Sequence, residues 1–289
     1  MQHAWAITNT SVLYALAGIS FSFSYMASRR FNLAHGLVFS FAGYAAVVTT
    51  ERFSMVSFVA IAVAIALVTT VVVHAIPRPN LAAAPNRQLL YSFGELLLGE
   101  TLLSMIYGDA VRTPPLLPDA TVRLASAAIA QHELQFVLIG IGVLITCDIA
   151  FRTGLGLQLR ALCDSADRAR ATGLPQRRLR LILLTISGVC GGCAAAGWAI
   201  RFSVEPATGL LALIPSITIA LTAISLYEFA VRPIHFASTS VLLTSLTTLV
   251  ALATSWRWYS VALSTSLVLA VALHAHVRRL RFSDTQVVS

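Results

Sequence analysis

The sequence predicts an all-α polytopic membrane protein with eight to nine transmembrane helices, an external N-terminus and a cytoplasmic C-terminus. Hydrophobic residues make up 57% of the 289 and charged residues only 11%, whereas soluble domains carry roughly 25% charged residues. Apolar runs recur between the few charges, and a membrane helix needs about 20 mostly apolar residues. The basic residues, all of them arginine, cluster in alternate loops. We therefore expect residues 1–289 to form a single transmembrane domain.

Nine apolar segments lie between charges and prolines, and the shorter or interrupted ones leave the count at eight to nine. The first is uncharged from Ala4 to Ser28 and shows no small-residue cleavage site, so it is interpreted as a retained span and not a signal peptide. The segments are roughly 5–27, 32–50, 53–76, 88–108, 134–151, 179–201, 209–229, 235–255 and 258–276.

The orientation follows from the arginines, because cytoplasmic loops carry an excess of basic residues. One set of alternate loops holds 15 of the 20 basic residues, including seven between Arg152 and Arg180. The other set holds the remaining five: Arg52, Arg112, Arg123, Arg201 and Arg257. The arginines also occur singly and in pairs between apolar runs, which is typical of loops that face anionic lipid. This pattern favours a membrane surface, and not nucleic acid, as the partner of the basic residues.

Two loops are long enough to have a role of their own. The external loop, about 109–133, opens with prolines that exclude a helix there. In the cytoplasmic loop, about 152–178, Asp164 is a candidate N-cap, a short helix fits Ala166–Ala171, and Gly173 with Pro175 ends it. Physical reasoning alone leaves two interpretations open: a connector at the lipid surface, or a helix that docks into a cytoplasmic partner.

Four stretches match one family pattern in order. They are "YALAGISFSFSYMASRRFNLAHG" followed by "AGY", "FGELLLGETLL", "RTGLGLQLRALCDSADRARATGLP" and "EPATGL". From about residue 11 to 215 the chain resembles the permease subunit of bacterial ATP-binding-cassette importers, the branched-chain amino-acid (LIV-type) family. The resemblance weakens at 220–240, where this chain retains Pro233 but lacks the family's glycines.

The resemblance implies a transporter subunit and not an enzyme, in the bacterial inner membrane. Expected partners are a second permease subunit, two cytoplasmic ATP-binding subunits and an extracytoplasmic solute-binding protein. The cargo would be a branched-chain or other amino acid, or a related amide such as urea. The cytoplasmic loop would couple to the ATPases through Arg160, Asp164, Asp167, Arg168, Arg170 and Gly173. No cofactor is expected on this chain, since it has no G-x-x-x-x-G-K-[ST] motif and ATP with magnesium would bind the partner subunits.

Polar residues inside the spans are candidates for the substrate pathway, because polar groups in lipid need partners and often line such paths. Asn32 and His35 share a helix face, as do Ser20 and Ser24. Either pair could instead hold helices together. Glu100 is expected to face the bundle interior, protonated or paired with His35 or Asn32.

The remaining polar groups within the spans are the carboxylates Glu95 and Asp148 and the cysteines Cys190 and Cys193. Glu95 points away from Glu100 and is expected nearer cytoplasmic water, and Asp148 is expected to pair with Arg152 at helical spacing. Cys190-Gly-Gly-Cys193 is interpreted as tight helix packing, since zinc would need two further ligands and no metal site is expected. A self-sufficient secondary transporter or channel using the two carboxylates, and a membrane scaffold, remain the alternatives.

Overall fold

The computed structural model describes residues 2–28, 30–49, 54–75, 85–114, 121–124, 127–227, 232–253, 261–262, 264–270 and 272. Ten α-helices, one 3-10 helix and one pair of strands lie in these ranges. The helices are α1 Gln2–Ser28, the 3-10 helix Leu33–His35, α2 Gly36–Thr49, α3 Met55–Ala75, α4 Pro85–Tyr107, α5 Gln131–Arg152, α6 Gly154–Asp164, α7 Ala166–Ala171, α8 Gln176–Phe202, α9 Thr208–Tyr227 and α10 Pro233–Ala253.

Within the described ranges, seven helices are long and apolar enough to cross a membrane: α1, α3, α4, α5, α8, α9 and α10. The short apolar segment Leu33–Thr49 adds an eighth candidate. The ninth predicted segment lies largely outside the described residues, although 264–270 is helical. The polytopic helical class is confirmed, while the number of spans and their orientation remain predictions.

The external loop contains a feature that the all-helical prediction missed. Strand β1, Thr121–Leu124, pairs antiparallel with β2, Ala127–Ala130, directly before α5. Thr121, Val122 and Ile129 are the residues with high strand propensity in this pair. The hairpin is short enough that no periodic pattern distinguishes it in the sequence.

Helix α8 lies at the centre of the bundle and packs against α1, α2 and α3 through small residues. A Cβ on Gly192 would lie 2.4 Å from the Cα of Val63, and one on Gly188 would lie 2.8 Å from Leu67 Cδ2. Cys190 and Cys193 are both buried in this surface. The Cys-Gly-Gly-Cys stretch thus serves close helix packing, as its small residues indicate.

Residues that the arginine rule assigns to the outer side meet at one end of the bundle. The indole N–H of Trp5 on α1 donates to Glu133 at the start of α5, over 2.8 Å. Arg201, in the last turn of α8, lies 3.6 Å from the same carboxylate. At this end Arg112 and Val204 also form an antiparallel bridge between two loops. The grouping agrees with the predicted alternation of loops.

Candidate functional site

Helices α2 and α9 begin against each other beside the middle of α4. A Cβ on Gly36 would lie 3.0 Å from the carbonyl oxygen of Gly209 and 3.0 Å from Leu96 Cδ1, and Leu96 is midway along α4. Helix α2 has 14 residues, or about 21 Å at 1.5 Å per residue, which is shorter than a bilayer core of about 30 Å. Both connecting segments therefore run into the bundle before their helices start.

Two contacts from Ser40 join α2 to the start of α9, and two further polar contacts lie beside this α2–α9 joint. Ser40 Oγ accepts from the backbone N–H of Gly209 over 2.7 Å and donates to the carbonyl of Pro206 over 3.3 Å. Glu100 Oε1 accepts from the N–H of Leu210 over 3.0 Å. Thr208 Oγ1 accepts from the N–H of Glu205 over 2.8 Å. Ser40 and Glu100 thereby satisfy the N–H groups of Gly209 and Leu210, which the first turn of α9 leaves without intrahelical partners.

Glu100 is 8% exposed and faces the bundle interior, as the sequence predicts. Its hydrogen-bond partner is the backbone of α9 and not His35 or Asn32, which corrects the expected pairing. The position is favourable for a carboxylate, since the N-terminal end of a helix dipole attracts negative charge. The sequence could not show this because Glu100 and Leu210 are 110 positions apart.

Ser20 and His35 form a second polar centre, between α1, α8 and the 3-10 helix. Ser20 Oγ donates to the carbonyl of Ser187 over 2.8 Å and lies 2.9 Å from His35 Nε2. Ser187 Oγ donates back to the carbonyl of Ser20 over 2.7 Å. Since the hydroxyl hydrogen of Ser20 is used on Ser187, Nε2–H of His35 is the donor to Ser20. His35 is fully buried, so its observed role is to join helices.

Asn32 caps the 3-10 helix that carries His35. Its side-chain oxygen accepts from the N–H of Ala34 over 3.1 Å, and its own backbone is extended. The N–H of Leu33 is bonded to Ser92 on α4 over 3.1 Å. Asn32 and His35 therefore lie together as the spacing predicts, and capping explains the asparagine.

Ser24 contacts a histidine, His74, that is not among the predicted site residues. His74, at the end of α3, donates from Nδ1 to the carbonyl of Thr70 over 2.8 Å, and its Nε2 lies 3.0 Å from Ser24 Oγ. The rings of His35 and His74 are 6.4 Å apart. The two serines thus bind two histidines, one turn apart on α1. A histidine inside an apolar run was the available signal for His74, but only the fold brings it to Ser24.

Glu95 lies on the other side of α4, on the wall of an apolar cleft between α3 and α4. It is nearer the start of α4 than Glu100 and one residue from Leu96, close to the middle of the helix. That it faces cytoplasmic water remains a prediction. Glu95 and Glu100 face different surroundings and do not form one site. Asp148 and Arg152 pair as predicted, with Nε 2.8 Å from Oδ2.

The predicted cytoplasmic loop contains one helix more than the sequence predicted. Helix α6 was missed, although Leu155, Leu159 and Leu162 recur at helical spacing. Arg160 anchors it by donating from Nη2 to the carbonyl of Phe151 near the end of α5, over 3.1 Å. Arg160 thus joins α5 to α6 in this structure.

The short helix α7 has the predicted bounds, Ala166–Ala171. Asp164 does not cap it, because Asp164 is the last residue of α6 and the extended Ser165 separates the two helices. Gly173 has a φ of 74° and ends α7: its N–H bonds to the carbonyl of Arg170, and that of Leu174 to Ala169. This pair of bonds is a Schellman motif, which favours glycine at the left-handed position.

The surface of α7 is divided between packing and exposure. Ala169 is 1% exposed and faces the bundle, whereas Asp167, Arg170 and Gly173 are exposed. The side chains of Asp164 and Arg168 lie outside the described part of the structure. An exposed polar face, held by a packed alanine and a fixed turn, suits contact with another protein.

Comparison with known proteins identifies the family. A family model described as "Branched-chain amino acid transport system / permease component" matches residues 4–273. No curated protein matches. Among solved structures, PsaBC from Streptococcus pneumoniae in complex with Fab is similar, with a TM-score of 0.52 and 16% identity over 94% of this chain and 89% of that one. At this identity the similarity supports the fold alone. The chain belongs to the branched-chain amino acid transport system permease component family.

Proposed function

We propose that this chain is the transmembrane permease subunit of an ATP-binding-cassette importer that moves a small polar solute by alternating access. The exposed polar face of α7 carries the proposal, together with the family match over residues 4–273. Separate cytoplasmic ATPases would bind this face, with ATP and magnesium on those chains. A second permease subunit and an extracytoplasmic solute-binding protein would complete the complex in the bacterial inner membrane.

A force that the ATPases exert on α7 would be transmitted to the membrane spans through the adjoining helices α6 and α8. Arg160 ties α6 to the end of α5, and Gly173 sets the turn that leads from α7 into α8. Helix α8 in turn bonds to α1 through the reciprocal Ser20–Ser187 pair. Displacement of α7 would therefore tilt α5 and α8 together and shift α1 against them.

The α2–α9 joint is the proposed barrier that this movement opens. It is closed by Gly36 against Gly209, by Ser40 and by Glu100. When α9 moves away from α2, Glu100 and the N–H groups of α9 would become free to bind the solute. A carboxylate beside backbone donors suits a zwitterion such as an amino acid, or a neutral amide such as urea. The helices around this barrier would be held together by the hydrogen bonds of Asn32, Ser20, His35 and Ser24.

The decisive experiment is purification of the tagged chain from its native membrane, followed by ATPase and uptake assays. We expect a nucleotide-binding chain to co-purify, and uptake to stop when ATP is depleted. If no such chain is present and uptake persists without ATP, the importer proposal fails. Persistent uptake that instead follows an ion gradient would favour the secondary transporter, whose carboxylates are Glu95 and Glu100.

The coupling role of α7 is tested by replacing two of its alanines, the exposed Ala171 and the buried Ala169, with glutamate. Ala171→Glu adds a charge to the exposed face, so we expect uptake to fall at least tenfold while the protein purifies normally. Ala169→Glu places the same charge in the packed face, and burial of an unpaired charge should prevent folding. Yield and thermal unfolding distinguish the two. Normal uptake by a well-folded Ala171→Glu protein would remove α7 from the coupling pathway.

A further inference from the structure

The segment that connects α8 to α9 lies against α2 beside the α2–α9 joint. A Cβ on Gly43 would lie 2.9 Å from Cγ1 of Val204, which is fully buried. About one turn earlier in α2, Ser40 donates to the carbonyl of Pro206 over 3.3 Å. Residues 204–207, named the cover segment, therefore lie between the joint and the end of the bundle where α2 ends.

Arg112 fastens the cover segment to α4. Its N–H donates to the carbonyl of Val204 over 2.8 Å, and the N–H of Val204 donates to the carbonyl of Arg112 over 2.9 Å. Its guanidinium donates from Nη2 to the carbonyl of Tyr107, the last residue of α4, over 2.8 Å and lies 5.5 Å from the centre of the same ring. Tyr107 also stacks on Tyr44 of α2, with ring centres 5.3 Å apart. One arginine thus links the cover segment to α4 and, through the stacked rings, to α2.

Ser203, the residue before the cover segment, has a backbone conformation that is rare for residues with a side chain. Its φ is 66° and its ψ is −179°, a region that is occupied almost only by glycine. Other residues keep such a conformation only where the surrounding structure fixes it. Here the N–H of Ser203 bonds to the carbonyl of Ala199, and the next residue, Val204, is held by Arg112. Loss of the Arg112–Val204 pair would allow Ser203 to relax, and the cover segment would turn away from α2.

We propose that Arg112 keeps this end of the bundle closed over the α2–α9 joint, and that its separation from Val204 lets the solute reach Glu100. The proposal rests on the proposed function, since the arginine distribution assigns this end to the outside, where an importer receives its solute. The hydroxyl group of Tyr44 supports it. This group is buried and has no hydrogen-bond partner in the described part of the chain, although a phenylalanine would fill the same space. A polar solute that passes Arg112 would supply the partner that a buried hydroxyl group ordinarily has.

A disulfide across the closure tests this role in the full chain. Arg112 and Val204 exchange both backbone hydrogen bonds, and such pairs have Cα atoms about 5.5 Å apart, within the roughly 4.4–6.8 Å that a disulfide spans. Arg112→Cys and Val204→Cys are combined with a reporter, Leu213→Cys. The native Leu213 side chain is buried against Gly36 at the joint.

The measurement is labelling of the reporter in intact cells by a small membrane-impermeant thiosulfonate, located by mass spectrometry. We expect labelling while the Arg112→Cys and Val204→Cys pair is reduced, and loss of labelling once copper phenanthroline has oxidised the pair. Arg112→Ala, without oxidant, should raise reporter labelling about two- to fivefold, as expected for loss of a cation–π contact at a partly exposed site.

The matched control is a disulfide that leaves the cover segment free. Val122 and Ile129 are partners in the antiparallel pair of β1 and β2, so oxidation of Val122→Cys with Ile129→Cys should leave reporter labelling unchanged. Three results would each overturn the proposal: labelling that persists in the oxidised pair, a reporter that stays unlabelled after reduction, or a pair that forms no disulfide while the control does. The proposed function is decided separately, by co-purification of an ATPase and by ATP-dependent uptake, which this labelling does not measure.

Discussion

Ser20 joins three parts of the bundle with one hydroxyl group. It donates to Ser187 on α8 and accepts from His35 on the 3-10 helix, and no part of it is exposed. Gly191 leaves the space for this arrangement, because a Cβ there would lie 2.7 Å from Ser20 Oγ. A serine is small enough to bring α1 and α8 close, and polar enough to accept a hydrogen bond from Nε2 of the imidazole.

We expect Ser20→Ala to destabilise the protein by about 1–3 kcal/mol, because the buried N–H of His35 would lose its acceptor. Thermal unfolding in detergent measures the loss. Thr8→Ala is the control on the same helix, since the hydroxyl of Thr8 is exposed and bonds only to Ala4 of its own turn. Equal shifts in unfolding temperature for the two variants would contradict a special role for Ser20.

The sequence indicated these polar residues but only some of their partners. Spacing along a helix was sufficient to group Asn32 with His35 and to pair Asp148 with Arg152, since both relations are local. The contacts of Ser24 with His74 and of Glu100 with Leu210 join residues 50 and 110 positions apart. Such contacts depend on how helices pack, which periodicity along a single chain does not determine.

Among the helices, α2 and α9 differ most from simple membrane spans. Both begin inside the bundle, and their first turns touch through Gly36 and Gly209. The apolar pattern predicted both segments, but it could not show that their N-termini meet. The proposed mechanism has its barrier at this contact, where Ser40 and Glu100 bond to the N-terminus of α9.

Gly209→Ala tests the contact, because its new Cβ would lie 2.6 Å from the backbone oxygen of Gly36. No flexible side chain can move aside, so the helices must separate, at a cost of about 1–3 kcal/mol. We expect a lower unfolding temperature and reduced uptake. In Gly142→Ala, the control, the Cβ meets nothing within 4 Å, and replacing a helical glycine by alanine should stabilise slightly. Wild-type stability and uptake in Gly209→Ala would refute the close contact.

At the scale of the whole molecule, the arrangement of loop ends agrees with the arginine distribution. Trp5, Glu133 and Arg201 meet at one end, and the arginine-rich segment from Arg152 to Arg180 contains α6 and α7. The sequence predicts which loops share a side, because successive membrane spans place alternate loops on the same side. It could not predict α6 or the strand pair, because neither is among the candidate membrane spans.

The orientation itself can be measured with one cysteine on each side. Thr113 and Thr172 are both exposed, in the predicted external and predicted cytoplasmic loops respectively. In intact cells we expect a membrane-impermeant maleimide to label Thr113→Cys, and to label Thr172→Cys only after permeabilisation. The parent protein is the control, because three of its four cysteines are buried and Cys147 lies within α5. The reverse pattern would place α7 outside the cell, where no ATPase could reach it, and would overturn both the arginine rule for this chain and the coupling mechanism.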